Sequence, residues 1–121
     1  MKAARFLTAV GMIAGLLAFA CARPAAPWAP VRLETAPAGA DTRVTLLAPG
    51  LKVNARLKPA LELPDGSVLR FDSTRLTPDS AYFIQAPSAL LAGSHRIVRG
   101  TLKVSVCHID EQVCRLVTLQ L

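Results

Sequence analysis

Residues 100–121, with the sequence GTLKVSVCHIDEQVCRLVTLQL, decide the fold because they predict two β-strands joined as a closing hairpin. Side chains alternate between the two faces of a strand, so a turn at residues 110–111 that places Cys107 opposite Cys114 fixes every other pair. The predicted pairs are Lys103 with Thr118, Thr101 with Gln120, Val104 with Val117, and Leu102 with Leu119. This register matches apolar with apolar and polar with polar residues, and a shift of one residue would disrupt it. Both cysteines then lie on the less apolar face.

The N-terminal residues have the pattern of an export signal. Lys2 and Arg5 form a short basic region before an apolar run at residues 6–20. The run is shorter than the roughly 20 residues that span a membrane, and it has the dimensions of a signal-peptide core. A buried N-terminal helix is the alternative, but the run has no polar face. We therefore predict that residues 1–20 are a cleaved signal peptide and that the mature protein is exported to the bacterial cell envelope, in the periplasm.

The chain has three cysteines, and Cys21 directly follows the apolar run. The sequence at residues 17–21, LAFAC, resembles a bacterial lipobox, in which the cysteine becomes the lipidated first residue. We therefore predict lipidation of Cys21 and attachment to a membrane, with ordinary cleavage after Ala20 or Ala22 as the alternative. Residues 21–30 are rich in proline and alanine and predict an extended tether rather than a helix or a central strand.

The charge of the chain argues against a nucleic-acid partner. The formal net charge is +6, and loss of Lys2 and Arg5 with the signal peptide leaves +4. The basic residues of the remainder occur singly, without the runs or stripes that polyanion binding favours. We expect a single mildly basic domain in an oxidising compartment, where a cysteine pair can form a disulfide.

Residues 31–121 predict a single all-β domain. Short apolar or alternating segments are separated by turn signals, most clearly by Pro64, Asp65 and Gly66, and no long amphipathic helix is present. Residues 86–94 predict a loop with one helical turn at residues 88–91, and residues 95–98 a short strand or the lead-in to the last hairpin. The other strands are predicted at residues 31–35, 42–48, 51–57, 60–63, 67–71 and 81–85. This spacing is typical of an immunoglobulin-like antiparallel β-sandwich.

The spacing of Cys107 and Cys114 by itself favours a structural disulfide. Closing this eight-residue loop would stabilise the domain by about 2.5 kcal/mol. Among the charged neighbours, Arg115 would favour a thiolate at Cys114, whereas Asp110 and Glu111 would oppose one. His108 adjoins Cys107, but regular alternation points it to the opposite face and the spacing matches no standard metal site. We therefore predict no metal and no cofactor.

The segment at residues 100–121 also resembles the end of the N-terminal periplasmic domain of the thiol:disulfide interchange protein DsbD. It is similar as well to the related C-terminal domain of thioredoxin/NHL-repeat proteins. Residues 50–54 and the turn at residues 64–66 resemble the latter version. The resemblance implies that Cys107 and Cys114 are a catalytic, redox-active disulfide. It also implies partners that are thioredoxin-like proteins or membrane thiol–disulfide reductases. The longer cysteine spacing and the lack of a recognisable cap loop are departures from DsbD.

Two functions follow from these observations. The first is thiol–disulfide exchange by an exported domain, with Cys107 and Cys114 passing electrons between thioredoxin-like partners. The second is a non-catalytic envelope lipoprotein or binding module in which the disulfide only holds the last hairpin together. The sequence does not show which of the two sulfur atoms is attacked first. For the first function, we expect a Cys114→Ser variant to trap a partner through Cys107.

Overall fold

The computed structural model describes residues 31–110 and 113–121. The predicted signal peptide, the predicted tether and Cys21 lie outside these residues. The described chain is all-β, and it contains no helix long and apolar enough to cross a membrane. Its strands are β1 Arg32–Ala38, β2 Asp41–Leu47, β3 Leu51–Val53, β4 Ala60–Glu62, β5 Val68–Arg70, β6 Ser88–Leu91, β7 Thr101–His108 and β8 Cys114–Gln120.

The strands form two antiparallel sheets. The smaller sheet has the order β1-β2-β6, and the larger sheet joins β3, β4, β5, β7 and β8. β7 pairs along its length with β8, while β4 pairs with its first residues and β3 with its last. Because a strand has only two edges, β3 and β4 share the edge of β7 that β8 does not occupy. β7 is therefore the central strand of the larger sheet.

The predicted register of the last hairpin is confirmed. Cys107 pairs with Cys114, and the other four predicted pairs occur as well. Residues 111 and 112, which come between the two strands in the sequence, lie outside the described part. Gly100 begins this hairpin with a φ of +146°, and its carbonyl oxygen accepts a hydrogen bond from the backbone N–H of Leu121.

The hydrophobic core draws on both sheets. The larger sheet supplies the inward face of β7, together with single residues of β3 and β4, and the smaller sheet supplies alternate residues of β2. The buried core consists of Val31, Val44, Leu46, Val53, Leu61, Phe71, Leu102, Val104 and Val106. The alternation within residues 100–121 therefore predicts correctly which face of β7 packs into the core. Cys107 is buried but does not belong to this cluster.

The hairpin at residues 60–71 forms as its turn residues predict. β4 and β5 pair with each other, and Gly66 takes a φ of +88°. A carboxylate oxygen of Asp65 accepts hydrogen bonds from the backbone N–H and the hydroxyl of Ser67. This turn is thus fixed by local hydrogen bonds and by the conformational freedom of glycine.

Three local predictions were wrong. Residues 81–85 form no strand; Tyr82 and Phe83 make only isolated bridges, with Asn54 and Leu76. The helical turn at residues 88–91 is instead strand β6, because this segment pairs with the edge of β2 that β1 leaves open. Of the extended segment predicted at residues 51–57, only Leu51–Val53 forms a strand, β3. Residues 95–98 form no strand, which agrees with the alternative of a lead-in.

Candidate functional site

The site is built around a disulfide that joins the two strands of the last hairpin. The Sγ atoms of Cys107 and Cys114 are 1.96 Å apart, and their Cα atoms 4.0 Å. The backbone N–H of His108 donates to the carbonyl oxygen of Val113, so the adjacent cysteine pair occupies a non-hydrogen-bonded position of the ladder. Side chains approach most closely at such positions. The register therefore brings the two thiol groups together without help from any other element.

The two cysteines differ sharply in exposure. Cys107 is 1% exposed, whereas Cys114 is exposed to solvent. The difference follows from the sheet, because β7 has neighbours on both edges and β8 is paired only with β7 among the described strands. An incoming reactant therefore meets the Cys114 side of the bond.

Apolar side chains are exposed on both sides of the hairpin end. Ile109 and Val113 flank the turn, and Leu116 lies two residues beyond Cys114 on the same face of β8. Each of the three is at least half exposed. They give the surface near Cys114 an apolar character, which a protein partner could cover.

A lysine that the sequence did not single out pairs with Cys107, and a tyrosine lies beyond it on the far edge of β3. Lys52 of β3 is its direct partner across the strand edge opposite Cys114. The Lys52 ammonium is 5.1 Å from the centroid of the Tyr82 ring. No local motif could have found these residues, because Lys52 precedes Cys107 by 55 residues and Tyr82 by 30.

The charged residues near the cysteines in sequence are arranged differently from what proximity suggests. Arg115 pairs with Val106, and alternation places it on the face opposite Cys114. His108 pairs with Leu51 and lies opposite Cys107 in the same way, as predicted. Within residues 31–110 and 113–121, no group of three or more His, Cys, Asp or Glu side chains is placed to hold a metal ion.

Three carboxyl groups with lowered pKa values lie on loops away from the disulfide. Hydrogen bonds from Ser67 lower the pKa of the Asp65 carboxyl group, and a hydrogen bond from Lys58 lowers that of Asp72. The hydroxyl of Thr77 lowers the pKa of Asp79 in the same manner. These carboxylates stabilise turns, and none of them lies on the strands that carry the cysteines.

An apolar groove of about 620 Å³ lies between the β4–β5 hairpin and residues 90–99. The exposed side chains of Val68, Leu90 and Ile97 line it. Neither cysteine contributes to its lining, so the groove is separate from the disulfide site.

Comparisons with known proteins add no relative. No protein-family model matches the chain, and neither a curated protein nor a solved structure is significantly similar to it. The disulfide, its register and the unequal exposure of its cysteines are therefore the observations from which a function has to be argued.

Proposed function

We propose that residues 31–121 are an exported immunoglobulin-like β-sandwich domain that exchanges the Cys107–Cys114 disulfide with thioredoxin-like proteins. The observation that carries this proposal is the unequal exposure of the two cysteines. One cysteine is open to an incoming thiolate, and the other is held on the central strand beside it. The resemblance of residues 100–121 to the DsbD N-terminal domain points to the same function.

The disulfide is also placed so that it can be opened at low cost to the fold. The core side chains of β7 point to the other face of the sheet, and Cys107 stands outside the core cluster. Reduction removes only the closure of a short loop, worth about 2.5 kcal/mol or less. A domain that cycles between disulfide and dithiol has to stay folded in both states.

The exchange begins at Cys114. A partner thiolate attacks its Sγ, the bond to Cys107 breaks, and Cys107 leaves as a thiolate. The second thiolate of the partner then attacks the partner's own sulfur in the mixed disulfide, and Cys114 leaves as a thiolate. The partner has become a disulfide and the domain a dithiol, with two electrons transferred between them. The reverse sequence passes the electrons to the next protein.

The proposed setting is the bacterial cell envelope, and the support for it is the sequence of residues 1–30. A signal peptide would export the domain to the periplasm, and a lipid on Cys21 would keep it at a membrane within reach of a membrane thiol–disulfide reductase. Incorporation of a palmitate analogue tests the anchor. We expect label on the wild type and none on Cys21→Ser, and an unlipidated wild-type chain would contradict this part of the proposal.

Trapping experiments with single-cysteine variants test the exchange. Because Cys107 is almost fully buried, we expect Cys107→Ser to trap a thioredoxin-like protein as a mixed disulfide through Cys114. The reciprocal Cys114→Ser variant should trap at least tenfold less, which reverses the expectation drawn from the sequence. The double variant is the matched control, and mass spectrometry of trapped species from an envelope extract is the measurement.

Thermal unfolding with and without reductant separates exchange from a structural role. We expect the reduced domain to unfold cooperatively. Its melting temperature should fall by no more than the loss of about 2.5 kcal/mol of loop-closure free energy would cause. If reduction unfolds the domain and neither single-cysteine variant traps a protein, the disulfide is a structural element of a non-catalytic envelope module.

A further inference from the structure

Lys52 lies where it can act on the buried cysteine. It pairs directly with Cys107 across the β3–β7 ladder, so both side chains emerge from the same face of the sheet. Directly opposed residues on neighbouring strands have Cβ atoms roughly 5 Å apart. The Lys52 side chain is half-buried, which reduces the screening of its charge by solvent.

Tyr82 lies on the edge of β3 that β7 does not occupy, and it holds the Lys52 ammonium on that side. Tyr82 bridges to Asn54, and the backbone hydrogen bonds on either side of this bridge place the two residues at a closely spaced position. Asn54 directly follows β3 and, two residues from Lys52, lies on the same face, so the tyrosine ring reaches the lysine diagonally. The ammonium lies 5.1 Å from the ring centroid, within the range of a cation–π contact.

We propose that Lys52 is the charge partner of Cys107, and that its ammonium leaves the Tyr82 ring to stabilise the Cys107 thiolate released during disulfide exchange. This inference rests on the proposed function, because a thiolate at Cys107 arises only when the disulfide is opened. When a partner thiolate attacks Cys114, the electron pair of the broken bond remains on the Cys107 sulfur. A cation beside that sulfur makes it a better leaving group, and no proton transfer is needed at that step.

The other described charges on this face are too distant to replace Lys52. On β7, Lys103 shares the face of Cys107 but lies four residues away, at about 13 Å. On β8, the residues that share the face of Cys114 are uncharged: Leu116, Thr118 and Gln120. Apart from Lys52, the titratable group nearest on the β3 side is the Tyr82 phenol, while His108 and Arg115 emerge from the opposite face.

The test follows the ionisation of Cys107 alone in the full chain carrying Cys21→Ser and Cys114→Ser. The carbon-13 NMR shift of the labelled cysteine Cβ reports the thiolate as the pH is raised. In this background we expect Lys52→Met to move the titration midpoint of Cys107 upward by about half to one pH unit. Lys52→Arg should keep the midpoint close to that of the parent chain, and Lys103→Met, the matched control, should leave it unchanged.

A midpoint that does not move in Lys52→Met, or that moves equally in Lys103→Met, would overturn the proposal. Urea unfolding of each variant checks that the fold persists. As a second measurement, the chain with both hairpin cysteines is equilibrated with glutathione at a pH above the Cys107 midpoints of the parent chain and of Lys52→Met. Reduced Cys107 is a thiolate under these conditions, and Lys52→Met should lower the equilibrium constant for reduction about three- to tenfold. An unchanged constant would also count against the proposal.

Neither measurement uses a protein partner, so the outcome is independent of the trapping experiment. A shifted midpoint together with failed trapping would support the role of Lys52 and reject exchange with thioredoxin-like proteins. Successful trapping with an unshifted midpoint would reject the role of Lys52 alone.

Discussion

β7 and β8 are the two strands of one hairpin, yet their side chains experience different environments. On β7 the core residues Leu102, Val104 and Val106 are at most 1% exposed. On β8, Val117 and Leu119, the partners of Val104 and Leu102, are half-buried, and the other residues of the strand are exposed. The alternation of apolar and polar residues is similar in both strands, so it does not explain the contrast. The position in the sheet explains it, because β7 has strands on both edges and β8 lies at the edge of the described sheet.

This contrast makes the two sulfur atoms of the disulfide unequally accessible. A bond between two equally exposed cysteines would offer both sulfurs to a partner. Here the bond joins the central strand to the edge strand, so one sulfur is presented and the other is retained. Cys107 also has a second neighbouring strand, β3, which brings Lys52 beside it. Among the described strands, β8 has no second neighbour that could place a charged residue beside Cys114. The fold thus makes two chemically identical residues unequal.

The largest expected effect comes from shortening one leucine on each strand. Leu102→Ala removes a side chain that is 0% exposed and should destabilise the domain by about 3 kcal/mol. Leu116→Ala, the matched change on β8, removes a side chain that is 61% exposed and should cost less than about 0.5 kcal/mol. Urea unfolding measures both. Equal losses of unfolding free energy would show that the leucine on β8 contributes as much packing as the leucine on β7.

A smaller effect is expected where the chain enters β7. Gly100 has a φ of +146°, and a Cβ at this position would collide with the backbone carbonyl oxygen of Glu62 on β4. Gly100→Ala should therefore cost about 2 kcal/mol, from strain and from displacement of the neighbouring strand. Gly66 is the control, because its φ is +88° but nothing lies within 4 Å of an added Cβ. Gly66→Ala should cost about 1 kcal/mol in the same unfolding assay. A smaller loss at Gly100 than at Gly66 would contradict close packing of β7 on β4.

The smallest effect is expected in acid. The folded-state pKa values of Asp65, Asp72 and Asp79 are lowered by their hydrogen bonds, so each carboxylate stabilises the fold at pH values above its unfolded pKa. That stability is lost as the pH falls below about 4 and through the lowered folded-state values. All three groups are at the surface, and the decrease should be slight.

Amide hydrogen exchange locates this decrease. Acid should loosen residues 64–82 while the amides of β7 keep their protection, because the affected carboxylates all lie outside the last hairpin. Asp72→Asn should remove part of the pH dependence, with the exposed Glu34→Gln as a control. Loss of protection in β7 before residues 64–82 would show that the central strand is not the most stable element.

The sequence alone determined the elements whose information is local. The register of β7 and β8 follows from period-two alternation over both strands, since a slip by one residue would move every apolar side chain to the wrong face. The β4–β5 turn follows in the same way from Asp65 and Gly66, whose side-chain hydrogen bond and positive φ are properties of those residues. The pairing of Cys107 with Cys114 needed nothing beyond the register.

Only the tertiary structure decided what depends on contacts between distant segments. Residues 88–91 became β6 because the open edge of β2 was available, and an apolar run this short does not choose between helix and strand on its own. The burial of Cys107, the exposure of Cys114 and the presence of Lys52 beside the disulfide have the same origin. Each depends on which strands flank β7, and strand order is set by the packing of the whole chain rather than by any pattern within residues 100–121.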